Sequence, residues 1–250
     1  MFRFDGKVAA VVGGGSGIGR AAAEIFAEQG AAVAVADVND EGARETAKRI
    51  TDRGGTASPF HCDVTDFAQT KALVADVVSE FGQLDAMTTT VGWSDTTFFA
   101  QETPEYWEKI IKINYLGAIH ISRSAMDYMT TRKSGSIVLT SSDAGKVGTM
   151  GETVYAGAKA GVIGFVKSLA REIARDGLRI NAISPGPTDT PLLRAQSDQH
   201  VIDKMIKAVP LKRMGQPHEP GAAIVFLASD AATYITGQTL SVSGGLTMTS

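Results

Sequence analysis

The chain reads as an α/β protein built on a doubly wound parallel sheet, and three observations predict it. Short apolar runs alternate with amphipathic stretches along almost the whole length. The runs are continuously apolar rather than alternating, as strands covered on both faces are. The first run ends in a glycine cluster that opens into a helical stretch, the arrangement of a strand–turn–helix phosphate site.

Taken in order, Lys7 to Val12 is the first buried strand, and Arg20 to Gln29 a helix closed by Gly30. Ala32 to Ala36 is a second strand ending at Asp37. Asp40 to Asp52 is a charged helix stopped by Gly54 and Gly55. A strand over Ala57 to His61 precedes Cys62-Asp63-Val64. Asp66 to Phe81 is amphipathic, with Leu73, Val77 and Val78 on its apolar side. Leu84 to Thr90 is a weak strand. Glu105 to Thr131 is expected as one long helix and Val154 to Arg175 as another. Strands are expected at Ser136 to Thr140, Arg179 to Ser184 and Thr239 to Ser243, and a helix at Gly221 to Ser229. In a parallel sheet of this kind ligands bind beyond the carboxyl ends of the strands. Gly13 to Gly19, Asp37, Asp63, Thr90, Ser142 and Pro185 should therefore gather on one edge.

The 250 residues are 44% hydrophobic, enough for one sizeable core, and no linker or low-complexity stretch divides them. One domain over residues 1–250 is expected. A net charge of −3 gives no footprint for nucleic acid or an anionic membrane. The single cysteine, Cys62, excludes an intrachain disulfide and fits a reducing cytoplasm. No signal peptide is read at the start, and Val8 to Val12 is too short to span a bilayer. His61, His120, His200 and His218 lie in different segments without metal-ligand spacing, so no metal is expected.

The run Gly13-Gly14-Gly15-Ser16-Gly17-Ile18-Gly19 lies between a strand and a helix. A helix N-terminus offers free N–H groups and a partial positive charge to a phosphate. A P-loop is excluded, because Arg20 follows Gly19. Asp37 at the end of the next strand can accept both ribose hydroxyls of an adenosine and would repel a 2′-phosphate, which favours NAD over NADP. Asp63 can take a hydrogen bond from the adenine amino group or simply cap a turn. Tyr155 and Lys159 stand one helical turn apart, with Ser142 upstream. A phenol with a pKa of about 10 is a poor base at neutrality, and bringing it there takes about 4 kcal/mol of preferential phenolate stabilisation. A lysine on the same helix face can supply much of that field, and a serine can hydrogen-bond a substrate oxygen as charge develops on it.

With these motifs in this order, from about Lys7 to Gly245, the chain resembles the classical short-chain dehydrogenase/reductase family. The resemblance implies a single Rossmann-type sheet of about seven strands. It implies a catalytic set of Asn114, Ser142, Tyr155 and Lys159, with Tyr155 as acid/base and Asn114 anchoring a water that links Lys159 to solvent. It implies a cofactor set of Gly13, Ser16, Gly17, Ile18, Gly19, Asp37, Asp63, Val64, Thr90, Gly92, Tyr155, Lys159, Pro185, Gly186, Thr188 and Thr190, with Thr190 on the carboxamide. Residues 190–213 become a substrate lid, and the two long helices the contact of a homotetramer. Gly157, Ala160, Gly161 and Gly164 would let helices approach. Two segments depart from the family pattern, Val12-Gly13 and Thr89-Thr90-Val91-Gly92. In the family these segments hydrogen-bond each other, so both changing looks like a rewired contact.

Less generic stretches narrow the resemblance: Ser141 to Gly148, Gly151-Glu152, Val91-Gly92-Trp93, Pro185 to Thr190 and Ile235 to Met248. They are similar to the 2-hydroxycyclohexanecarboxyl-CoA dehydrogenase branch. That branch implies a cyclic β-hydroxyacyl-CoA as the small-molecule substrate, in the breakdown of aromatic and alicyclic acids. Arg194, Lys204, Lys207, Lys212 and Arg213 outnumber Asp198 and Asp203 in the lid, so they offer either a site for CoA phosphates or a solvated face. Trp93, Phe98, Phe99, Met150 and Met205 could wall an apolar pocket or be ordinary core. A free cyclic alcohol or steroid as substrate, and a non-catalytic subunit that keeps the fold, stay open as alternatives.

Overall fold

The computed structural model describes residues 2–248. Its strands are β1 (Val8–Val12), β2 (Ala32–Asp37), β3 (Thr56–His61), β4 (Ala86–Thr89), β5 (Gly135–Thr140), β6 (Leu178–Pro185) and β7 (Thr239–Val242). They form one sheet in the order β3-β2-β1-β4-β5-β6-β7, and every neighbouring pair is parallel. The order reverses between β1 and β4, which opens a crevice at their carboxyl ends.

Strand residues alternate between two cores. Val8, Ala10 and Val12 of β1 and Ile137 and Leu139 of β5 face one layer; Ala9, Val11 and Val138 face the other. The first layer holds α3 (Phe67–Phe81), α5 (Gly117–Arg132) and α7 (Thr153–Ile173). The second holds α1 (Gly17–Glu28), α2 (Asp40–Asp52) and α10 (His218–Ala228). The inner strands β1, β2, β4, β5 and β6 are buried on both faces, so the sequence there shows runs rather than alternation, whereas the edge strands β3 and β7 stay partly exposed.

The long helix expected over Glu105 to Thr131 is present, but it is not α-helical throughout. α4 (Pro104–Ile111) passes through a π-helical turn, Lys112–Leu116, into α5. The cause is Asn114. Its Nδ2 donates to the carbonyl of Ile110 four residues back and to that of Trp93, so the side chain competes with the helical ladder. α1 starts at Gly17, three residues before the expected Arg20. The segment expected as a lid folds as α8 (Pro191–Gln196) and α9 (Gln199–Ala208), capped by Thr190 and Asp198. A short turn, α6 (Ala144–Val147), precedes α7. No described helix is long and apolar enough to cross a membrane.

Phe26 of α1 is fully buried, with its ring edge-on to Phe4 at 5.0 Å between centroids. Phe26→Ala is expected to cost about 3–5 kcal/mol of stability. The exposed Val38→Ala should stay within about 0.5 kcal/mol. Urea unfolding of the two variants checks both.

Candidate active site

At the end of β1 the chain turns through Gly13, whose φ of +83° suits glycine. The N–H groups of Gly13 and Gly14 donate to the Ala36 carbonyl, which ties the loop to β2. Gly19 admits no other residue: a β-carbon there would lie 2.0 Å from the Gly13 oxygen. The Thr90 hydroxyl donates to that same oxygen at 3.2 Å, and the Thr90 N–H to the Val12 carbonyl at 2.9 Å. The two segments that depart from the family pattern thus bond each other.

Ser16 precedes α1 in extended conformation and makes no side-chain cap, so the first N–H groups of the helix are left for a ligand. Asp37 accepts from the Gly15 N–H at 2.9 Å through Oδ2 and from the Asn39 N–H at 2.9 Å through Oδ1. A carboxylate has about four lone-pair positions, so each oxygen keeps one for a ribose hydroxyl. Across the crevice, Thr190 stands over the loop, 3.3 Å from where a β-carbon on Gly17 would be. An uncapped helix start, a half-satisfied carboxylate and a covering loop together fit a dinucleotide. Asp63 accepts the Thr65 N–H at 2.8 Å, a turn-capping bond. Val64 packs on Gly117. Thr188 turns back onto the Gly186 carbonyl, and the Pro185 carbonyl accepts from the Asp143 N–H.

Asn114, Ser142, Tyr155 and Lys159 meet at the carboxyl ends of β4 and β5. Lys159 is 2% exposed, and its ammonium donates to the Thr140 carbonyl at 3.0 Å and the Val91 carbonyl at 3.5 Å. Asn114 is also buried, with Oδ1 accepting the Trp93 N–H. Gly92 lies between the two: a β-carbon on it would be 3.2 Å from Asn114 Oδ1 and 3.3 Å from Lys159 Nζ. The Lys159 ammonium is 5.7 Å from the Tyr155 ring centroid. The Ser142 hydroxyl acts on the Tyr155 phenol and favours its ionised form, and Ser142 Oγ accepts the Ala144 N–H at 3.2 Å.

The electrostatics differ from the sequence expectation. Burial pushes the Tyr155 phenol up to about 12; the Ser142 hydrogen bond opposes this and the Glu152 charge adds to it. Burial also draws Lys159 down to about 8. Desolvation dominates the phenol's shift, and the Lys159 charge is not among its causes. The chain alone therefore holds Tyr155 as an acid at neutral pH. A phenol that keeps its proton, paired with a serine hydroxyl, can protonate an oxygen that gains negative charge.

Several supports were not read from the sequence. Asp143 accepts the Ser184 hydroxyl at 3.0 Å, and the Ser141 hydroxyl donates to the Lys159 carbonyl at 2.8 Å, so β6 and α7 both brace the Ser142 turn. Arg20 holds the Gly15 carbonyl and pairs with Glu45 through both carboxylate oxygens. The run Ser141-Ser142-Asp143, unusually polar for a strand end, was the available signal for the first group. Phe98, Phe99 and Met150 are exposed and so are not core, and Phe99 stacks on Trp107 at 5.6 Å. In the lid Arg194 is paired with Asp189 and Arg213 with Glu219, which leaves Lys204, Lys207 and Lys212 for any phosphate. A cavity of about 530 Å³ opens there among Arg194, Ile202, Met214 and Glu219; none of Asn114, Ser142, Tyr155 and Lys159 lines it.

This sheet and this edge define a nicotinamide-dinucleotide oxidoreductase. The chain belongs to the short-chain dehydrogenase/reductase family. A family model described as enoyl-(acyl carrier protein) reductase matches residues 12–247. The 3-oxoacyl-(acyl-carrier-protein) reductase FabG of Thermotoga maritima is 35% identical over 244 residues, 98% of this chain and 99% of the relative. That of Escherichia coli is 37% identical over 245 residues, again 98% and 99%. The solved structure of gox2181 superposes with a TM-score of 0.94 at 31% identity, covering 98% of this chain and 97% of that one.

Carbonyl reduction is expected to decline as pH rises past about 8, where Lys159 loses its proton. A pH profile of kcat/KM in the reducing direction, compared with Lys159→Met, tests this; a wild-type profile flat across that range would contradict it. Gly19→Ala should raise the cofactor Kd by about tenfold or more, measured by fluorescence titration.

Proposed function

We propose that the chain is an NAD-dependent enzyme that interconverts a secondary alcohol and a ketone, acting on a cyclic β-hydroxyacyl thioester of the 2-hydroxycyclohexanecarboxyl-CoA kind. The observation that carries the chemistry is the Tyr155 phenol, influenced by the Ser142 hydroxyl and with its ring centroid 5.7 Å from the buried Lys159 ammonium. In reduction Tyr155 gives its proton to the ketone oxygen while Ser142 holds that oxygen; in oxidation Tyr155 accepts the alcohol proton. Asn114 fixes the loop at Trp93, keeps the Lys159 ammonium confined and anchors the water through which its proton is replaced. The nicotinamide, when bound, supplies or accepts the hydride.

The thioester reading has a chemical basis in the relatives. Their names specify a 3-oxoacyl thioester, and a 2-oxocyclohexanecarboxyl thioester has the same relation of ketone to thioester. The description of the family model names reduction of an enoyl group. The paired hydroxyls suit an oxygen that becomes an alcohol, which favours the ketone.

NAD is preferred over NADP because Asp37 presents a carboxylate at the end of β2. The exposed Val38 beside it brings no cation, and Arg20 is already committed to Glu45 and Gly15. The whole chain acts as one cofactor-binding unit, with residues 190–213 closing over substrate. It works as a cytoplasmic homotetramer joined through α5 and α7. Gly157 and Gly164 present open faces on α7, whereas Gly161 is covered by the chain's own Tyr115 ring.

Reduced cofactor should appear with cyclic and linear β-hydroxyacyl-CoA thioesters in preference to their free acids. Tyr155→Phe should lower the rate by about a thousandfold. Equal rates with the free alcohols would remove the thioester from the reading. Asp37→Ala combined with Val38→Arg is expected to improve kcat/KM for NADP relative to NAD by about tenfold or more, about 1.4 kcal/mol. Light scattering should give a mass near four chains.

A further inference from the structure

An acid occupies a sealed position directly after Ser142. Asp143 is 5% exposed. Its Oδ1 accepts the hydroxyl of Ser184, itself fully buried, at 3.0 Å. Its Oδ2 is closed off from solvent and has no hydrogen-bond partner, and no cation pairs with it among the described residues. A carboxyl held this way exchanges its hydration for a single hydrogen bond. An apolar pair in place of Asp143 and Ser184 would be about as stable or more so. Stability alone gives no reason for an acid here.

The backbone shows what the acid is attached to. β5 ends at Thr140, yet its pairing with β6 runs on: the Ser141 N–H donates to the Ile183 carbonyl at 2.8 Å and the Asp143 N–H to the Pro185 carbonyl at 3.1 Å. Ser142 lies between these bonds. Its carbonyl accepts the Gly145 N–H at 2.9 Å, and the Asp143 carbonyl accepts the N–H groups of Lys146 and Val147, so the α6 turn hangs from the same two residues. Gly145 in turn fits against α7, where a β-carbon on it would lie 2.7 Å from the Lys159 carbonyl carbon. On the other side, Pro185 opens the segment that reaches Thr190, 3.3 Å from where a β-carbon on Gly17 would be. Asp143 thus holds the end of β6 twice, through its N–H and its carboxyl, where the chain leaves the sheet toward Thr190.

We propose that Asp143 is a positioning residue: it fixes the Ser142 hydroxyl relative to the 185–190 segment, so that the group holding the substrate oxygen and the segment covering the cofactor keep one geometry. The inference rests on the ketoreductase reading, in which Ser142 holds that oxygen, and adds how the hydroxyl is set against the cofactor. Asp143 acts only through Ser142. Its loss leaves the Ser142 turn tied to β6 by backbone bonds alone, and a misplacement of about 1 Å is enough to remove much of the rate.

The test is a double-mutant cycle on kcat for reduction of ethyl 2-oxocyclohexanecarboxylate with reduced NAD. Asp143→Ala should lower kcat by about 10- to 100-fold when Ser142 is present. In a Ser142→Ala enzyme the same change should have no further effect, because the hydroxyl it positions is gone. Asp143→Asn keeps an acceptor for the Ser184 hydroxyl and should recover most of the rate. Ser184→Ala removes that hydroxyl and keeps the acid; it should show the same non-additivity, and it decides the question if Asp143→Ala fails to fold. An equal loss from Asp143→Ala with and without the Ser142 hydroxyl would mean that the acid supports the fold at large, and it overturns the proposal while the ketoreductase reading stands. Full activity in both Asp143→Ala and Ser184→Ala does the same. Absence of turnover in wild type, or a Ser142→Ala enzyme as fast as wild type, overturns the reading beneath it as well.

Discussion

A buried ammonium organises the reactive edge of this molecule. Lys159 gives up nearly all contact with water, and burying an unpaired charge is costly unless fixed acceptors replace the solvent. Here the acceptors are backbone carbonyls, Thr140 at the end of β5 and Val91 after β4. They stay in place because the strands that carry them are paired in the middle of the sheet. One side chain thus pins α7 to two strand ends and sets where Tyr155 stands. It also explains why both groups titrate away from their ordinary values: the burial that makes the lysine a good anchor holds the phenol in its protonated form.

The cofactor side answers to a different constraint, close approach of backbone to backbone. The Gly13 carbonyl, the Gly19 Cα and the Thr90 hydroxyl occupy one small volume, and a single added carbon at Gly19 would clash. The threonine at position 90 fills that volume with a donor aimed at the glycine carbonyl. Its bonds are accepted by the backbone carbonyls of Val12 and Gly13, so the contact between the two segments depends on Thr90 and not on the side chain at position 12.

Between these two regions runs the connection from β4 to α4, the part of the chain that makes the site particular. Asn114 holds its backbone at Trp93 from one side and Glu152 reaches Ser94 from the other. Gln196 then ties the same serine to the lid. The glycine loop, the Asn114–Lys159 cluster and α8 are linked through this short segment, so a change in it would reach all three.

The parallel sheet, its two helical layers and the strand–glycine–helix entry were legible in the sequence. Continuous apolar runs such as Val8 to Val12 arise only where both faces are covered, and that requirement is local. Tyr155 and Lys159 were legible for the same reason, since one helical turn places them on one face. What the sequence could not show depended on distance through space. The π-helical turn at Asn114 needs Trp93 as partner, twenty-one residues away. The protonated state of Tyr155 depends on burial that only packing creates. The pairing of Arg194 and Arg213, which thins the cationic lid, follows from where Asp189 and Glu219 end up. Apolar patterning together with the glycine-rich entry determined the fold class of this chain; the chemistry of its edge was decided by desolvation and long-range hydrogen bonds, which exist only once the sheet has brought its strand ends together.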